Sequence, residues 1–182
     1  MTEQQSWNRT TWSDAAQISA LIDPDDVPEA AAQHPPHVWF AQLVEQGRLA
    51  DAVIFLAHAL PRYECAAWGA QALLDIGAVD RLDPLMVAVL RWIDQPSDAL
   101  RRDAGNLADA TRRSTPPKLL AQAVMMSGGS IAPPDLHPIL PSAGICAALV
   151  AGAILGGVKN LPDPDKALRR AIELGEALAA GS

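Results

Sequence analysis

Cysteine is nearly missing from this sequence: its 182 residues hold two, Cys65 and Cys146. Neither belongs to a CxxC pair and neither has companion ligands, so a disulfide framework and a thiolate zinc site are not expected. Both thiols are instead expected buried and reduced, at helix-like positions in apolar surroundings. Aromatic residues are also scarce, at 4 % of the chain against 49 % hydrophobic residues overall, so the apolar content falls mainly on Ala and Leu. That balance disfavours strands, which draw on β-branched and aromatic side chains, and suits packed helices. Positive charge is in deficit, with 14 Lys and Arg against 21 Asp and Glu and a net charge of −7. Such a field repels phosphate backbones and anionic lipid surfaces, and nucleic acid is not an expected partner. The opening Met1-Thr2-Glu3-Gln4-Gln5-Ser6 has neither a basic nor an apolar signal region, which makes cytoplasmic residence the expectation.

What the sequence does have is helix punctuation. Apolar segments open on a capping residue or a proline and close on glycine. Ser13 is expected to cap a helix carrying Ile18, Leu21 and Ile22, and Pro28 to Gln33 reads as one or two turns. Pro35 and Pro36 open a helix with Trp39, Phe40, Leu43 and Val44 on one face and Gly47 as its stop. Leu49, Val53, Leu56 and Leu60 recur at helical spacing, with Ile54 and Ala57 widening the stripe. Pro61 breaks that helix and starts another with Ala66, Ala70, Leu73 and Leu74 inward. Asp83-Pro84 precedes Met86, Val89, Leu90 and Ile93, Ser97 begins a helix to about Arg113, and Thr115-Pro116-Pro117 begins another ending at Ser127-Gly128-Gly129-Ser130. Prolines 133, 134, 138 and 141 forbid a regular helix over 131–141, which is expected to be an extended strap lying over the domain. Ser142 is expected to cap an apolar helix to about Gly157, and Asp163-Pro164 opens the last helix, with Leu168, Ala171, Ile172 and Leu178 inward.

The expectation is therefore an all-α fold of about eight helices, either an irregular bundle or a short solenoid-like array, with a proline-rich strap. It forms a single domain over 1–182: N-terminal helices to residue 33, a main body over 34–158, and a C-terminal helix over 163–182. Ile139 to Val158 is the most apolar stretch, and Gly152 and Gly156 have the spacing of membrane helix contacts. Pro141 and Ser142 interrupt it, and Ala and Gly dominate it, so it reads as a buried central helix rather than a membrane span.

Candidate sites are few. His34 and His37 flank a diproline, with His58 further along, but no Cys/His cluster or HExxH frame supplies a metal set, and neither metal nor cofactor is expected. Ser127-Gly128-Gly129-Ser130 follows a helix instead of joining a strand to one, so it reads as a helix stop with a flexible turn and not as a P-loop. Arg101 and Arg102 lie eleven residues before Arg112 and Arg113, with Asp98 and Asp109 three and four residues ahead of each pair, which reads as a solvated ion-pair face. No GxSxG, Cys–His or carboxylate pair suggests covalent or acid–base catalysis. Trp39 and Trp68 are expected in the core, with Arg62 and Glu64 exposed or locally paired after the proline break.

Three segments carry a resemblance: His34-Pro-Pro-His-Val-Trp-Phe-Ala-Gln-Leu-Val, Ala59-Leu-Pro-Arg-Tyr-Glu with Trp68 after it, and Ser127-Gly-Gly-Ser-Ile-Ala-Pro-Pro-Asp-Leu. Over residues 34–158 the chain resembles a bacterial family of unknown function, some members of which are encoded beside type VI secretion genes. The SGGSxAPPDL segment is the most specific part, and no catalytic residue carries over. The resemblance implies a bacterial source and an association with secretion. A non-enzymatic adaptor or accessory protein is expected, its partner another protein, with binding residues drawn from His34, His37, Trp39, Arg62, Glu64 and Trp68. The alternative is a small-ligand protein or enzyme whose site forms in three dimensions around His37, His58, Arg62 and Glu64.

Overall fold

A computed structural model describes residues 6–133 and 135–181. Met1–Gln5 of the leader reading, Pro134 of the strap and Ser182 lie outside the described residues. Among those described there are nine α-helices and one short 3-10 turn, Glu29–Gln33, and no strand. The helices are α1 (Ala15–Ile22), α2 (Pro36–Glu45), α3 (Leu49–Ala59), α4 (Arg62–Asp75), α5 (Pro84–Asp94), α6 (Asp98–Ala110), α7 (Pro116–Met125), α8 (Ile145–Val158) and α9 (Pro164–Ala180).

Local chemistry sets these boundaries. Pro36, Pro84, Pro116 and Pro164 each occupy the first helical position, where a missing N–H costs nothing. Asp83, Ser97, Thr115 and Asp163 accept first-turn amides as caps. Two expected caps move. Asp14, not Ser13, caps α1, because Asp14 and Gln17 form a reciprocal capping box in which each satisfies the other's backbone. Gly144, not Ser142, sits at the N-cap of α8, which begins at Ile145 without any side-chain cap. α6 also ends at Ala110, short of Arg113.

α8 is the centre of the packing, touching α3, α4, α7 and α9. The helix is apolar all round because it has neighbours on several sides, burying Cys146, Val150, Ala153, Ile154 and Val158. At 14 residues it is short, and among the described residues no helix is long and apolar enough to cross a membrane. Consecutive helices α4 to α7 pack pairwise, but α8 and α9 return to α3 and α4. That return closes the chain into a bundle instead of continuing an open array. The expected inward residues of α3, Leu49, Val53, Leu56 and Leu60, are all buried. The chain ends are tied together: the Arg9 amide and the Asn8 side chain donate to Ala179 and Ala180 carbonyls at the end of α9, both at 3.0 Å. Those carbonyls are among the ones a helix C-terminus leaves without partners. Trp7 adds apolar anchorage, its ring 5.0 Å from that of Phe40.

Candidate functional site

The residues singled out from the sequence land in different places. His34 stacks on Trp39, ring centroids 6.5 Å apart, and its Nε2 lies 3.3 Å from Gln42 Nε2. Trp39 is only half-buried, because α2 sits at the rim of the bundle, and it borders a shallow cavity with Ile22, Arg48 and Asp51. His37 and Glu64 are half-buried and line none of the cavities described here. Trp68 is a core residue as expected, its indole N–H donating to the Ala171 carbonyl at 2.8 Å and so joining α4 to α9. Of the four residues grouped as a three-dimensional site, His58 and Arg62 do meet at one cavity, of about 210 Å³. Among the described residues no group of three or more His, Cys, Asp and Glu could hold a metal ion. Both cysteines are free and buried, and burial pushes the Cys65 thiol well up and that of Cys146 up to about 12, so neither is a thiolate nucleophile near neutral pH.

The arginine reading needs correction. Arg101 is not on a solvated face but only 4 % exposed, on the buried stripe of α6 with Ala104, Gly105 and Ala108. Its guanidinium donates to the Met125 carbonyl at 2.6 Å, the Ser130 carbonyl at 2.9 Å and Asp98 Oδ1 at 2.6 Å. Arg102 donates to Asp98 Oδ2 at 2.9 Å, the Ser130 carbonyl at 2.9 Å and the Ala132 carbonyl at 3.0 Å. Hydrogen bonds from Arg101, then Arg102, hold the Asp98 carboxyl below the usual carboxylate range. Arg112 and Arg113 lie beyond the helix and are exposed, and no ion pair joins them to Asp109 among the described residues.

The two cations therefore clamp the start of the proline-rich segment. Gly129 turns the chain at φ +64°, and a Cβ there would lie 3.1 Å from the Arg101 guanidinium, so glycine is needed both for its conformation and for the close approach. The helix stops as expected, α7 ending at Met125, and the turn that follows is held by two guanidiniums. Ser130 Oγ then accepts from the Ala132 and Ile139 amides at 3.1 Å each, and the Ile131 amide donates to the Ile139 carbonyl at 2.8 Å. The segment is thus pinched into a closed loop, as compact surface loops often are. Its two ends are packed down, with Ala132 and Pro141 buried, while Leu136, Ile139 and Leu140 between them are 59 %, 57 % and 73 % exposed. The clamp is what sequence reasoning missed. Its one signal was that Arg101 shares a helical stripe with small buried residues, where a solvated charge does not belong.

The chain belongs to a family of unknown function, DUF6931, whose pattern matches residues 39–179. The match includes the clamp, the loop and both His58 and Arg62, though not Thr11, Trp12 and Leu21 of the cavity wall, and it continues through α9 instead of stopping at Val158. No curated protein and no solved structure gives a significant match.

Proposed function

We propose that this family member is a non-enzymatic adaptor of the bacterial cytoplasm that presents its clamped 130–141 loop to another protein, in the setting of type VI secretion. The observation that carries the reading is the pairing of a rigidly held base with an apolar tip. Leu136, Ile139 and Leu140 stand largely in water, at a standing cost in hydration, on a loop whose root is fixed by three hydrogen bonds, from Arg101 and Arg102 to the Ser130 carbonyl and from Arg102 to the Ala132 carbonyl. Holding an apolar tip in place before contact lowers the ordering cost of association. The partner offers an apolar cleft for the three side chains. A net charge of −7 on the chain favours a cleft with basic margins, since opposite fields speed encounter. The secretion setting rests on the family resemblance of the SGGSxAPPDL segment.

The test is capture of partners by the tagged protein in its own cells, comparing wild type with a Leu136→Ser, Leu140→Ser variant. Both substitutions fall on exposed side chains, so the variant is expected to melt with the wild type. Recovery of stoichiometric secretion components by the wild type, and their loss from the variant, supports the reading. A bait recovered alone and monomeric, or capture that ignores the loop, overturns it.

A further inference from the structure

The cavity at His58 and Arg62 stands apart from the loop and carries a different inference. Two helices begin at it: Pro61 and Arg62 open α4, while Ala143 and Ala147 flank the start of α8. The first backbone bonds of these helices run from Cys65 to Pro61 and from Ala148 to Gly144, which leaves the amides of 62–64 and 145–147 without intrahelical acceptors. α1, α5, α6, α7 and α9 satisfy such amides with an Asp, Ser or Thr side chain, whereas α4 and α8, like α2 and α3, have no side-chain cap. The positive ends of two helices thus meet at a cavity that Arg62 also lines, and Arg62 makes no ion pair among the described residues. At the opposing end of α3 two of the last carbonyls are already engaged, His58 accepting from Trp12 Nε1 at 3.2 Å and Ala59 from Thr10 Oγ1 at 3.0 Å. Glu64, in the first turn of α4, does not line the cavity.

His58 is the independent sign of a ligand. It is only 8 % exposed, and its Nδ1 lies 2.8 Å from the Ile54 carbonyl, which makes Nδ1 the protonated nitrogen of the neutral ring. Nε2 is left as a bare acceptor with no hydrogen-bond partner among the described residues. Burial lowers the pKa of His58, against a smaller opposite effect of the Ile54 bond, so the neutral ring prevails at neutral pH. Nε2 faces Gly144, which lines the adjoining groove along α8: a Cβ there would sit 3.3 Å from Nε2 and equally 3.3 Å from the Leu21 carbonyl oxygen, so glycine lets the three groups approach closely. His58 and Leu21 also border the adjoining groove along α8, so the imidazole stands where the two spaces meet.

We propose that this cavity binds a small hydroxycarboxylate, its carboxylate held by Arg62 and the first-turn amides of α4 and α8 and its hydroxyl donating to His58 Nε2. Trp12, Leu21 and Leu60 supply apolar walls for the carbon skeleton. The volume of about 210 Å³ equals that of about seven waters at roughly 30 Å³ each, which limits the ligand to a few carbons. The acidic net charge opposes any anion at long range, but it is screened beyond about 8 Å in physiological salt while these contacts act inside that distance.

The full-length protein is titrated calorimetrically with glycolate, L-lactate and L-malate, with acetate, phosphate and chloride as comparators. Saturable binding of a hydroxycarboxylate is expected, at least tenfold tighter than acetate, which has no hydroxyl for Nε2. Arg62→Gln is expected to weaken it at least tenfold. Gly144→Ala is expected to weaken it as well, and serves as the second variant should Arg62→Gln fail to fold. In the ¹⁵N spectrum, His58 Nε2 shifts as the ligand saturates. The proposal is overturned if no hydroxycarboxylate binds saturably at millimolar concentration, if phosphate or acetate binds equally well, or if both folded variants bind like the wild type.

Discussion

Arg101 and Arg62 stand near the starts of two helices of one bundle, and they are used in opposite ways. Arg101, on α6, is buried and commits its guanidinium to Met125, Ser130 and Asp98. Arg62, on α4, is half-buried at a cavity rim and pairs with nothing among the described residues. A buried cation that was not paired would cost several kcal/mol, so the arginine of the clamp must be satisfied by the fold itself. The arginine at the rim keeps enough water to remain uncommitted, which is the condition for meeting a ligand later. The difference teaches that exposure, and not residue type, separates a structural arginine from one free to bind.

The strongest way to break this comparison is to remove each arginine in turn. Arg101→Ala leaves the Met125 carbonyl without its guanidinium donor, leaves the Ser130 carbonyl with Arg102 alone, and opens a void beside Met125. A loss of about 3 kcal/mol is expected, which for a chain of this size lowers Tm by roughly 6–12 °C. Urea unfolding of the variant measures it directly, and a loss below about 1 kcal/mol would mean that the clamp is not a unit of stability. Gly129→Ala probes the same clamp from the loop side. Left-handed backbone and contact with the Arg101 guanidinium together predict a loss of about 1–2 kcal/mol. If the double variant costs no more than Arg101→Ala alone, the two residues act through one contact, as a double-mutant cycle would reveal.

How much of this could be read from the sequence depends on how far apart the interacting residues lie. Proline first turns and apolar spacing placed α2, α3, α4 and α9 with their inward residues, because those signals sit within a few residues of their effect. The Asp98–Arg102 pair was legible for the same reason, at i and i+4 on one helix. The Arg101–Ser130 bond was not, since its partners are 29 residues apart and only the packing of α6 on α7 brings them together. His58 and Arg62 could be named as candidates, but Gly144 and the start of α8 could not be placed beside them. That meeting depends on the return of α8 across α3 and α4, a topological fact with no local trace. His37 and Glu64 fell away from the group because chemistry alone, without the turn of each helix, says nothing about direction.

The two regions are also expected to respond to acid in separate windows. Asp98 has a pKa lowered by its arginines from an ordinary 3.8, so its contribution is complete above that value and is lost as pH falls through the lower folded value. His58 has a pKa lowered from an ordinary 6.5 by burial, so the unfolded chain takes up a proton first. Stability from this group is therefore full above about pH 6.5 and falls with pH until the folded value is reached. No carboxylate lines either space around His58 to reverse that sign. Urea midpoints measured between about pH 7 and pH 5 are expected to drop in the wild type and to flatten in His58→Gln, while Asp98→Asn leaves the slope in this range unchanged.

The smallest expected effect is the most discriminating. Arg62→Ala removes a full positive charge from the meeting point of two helix N-termini, yet its guanidinium satisfies no buried group, so stability is expected to stay within about 0.5 kcal/mol of wild type. Removing a cation from beside two positive helix ends also relieves a small repulsion, which works in the same direction as a neutral result. Equilibrium unfolding of the two alanine variants side by side gives the answer as a ratio: a large loss for Arg101 and almost none for Arg62. A loss at Arg62 comparable with that at Arg101 would place it in the framework of the bundle and remove the ground for treating it as uncommitted. A neutral result, with binding of the hydroxycarboxylate probes lost, would mean that the fold holds the charge in place without depending on it.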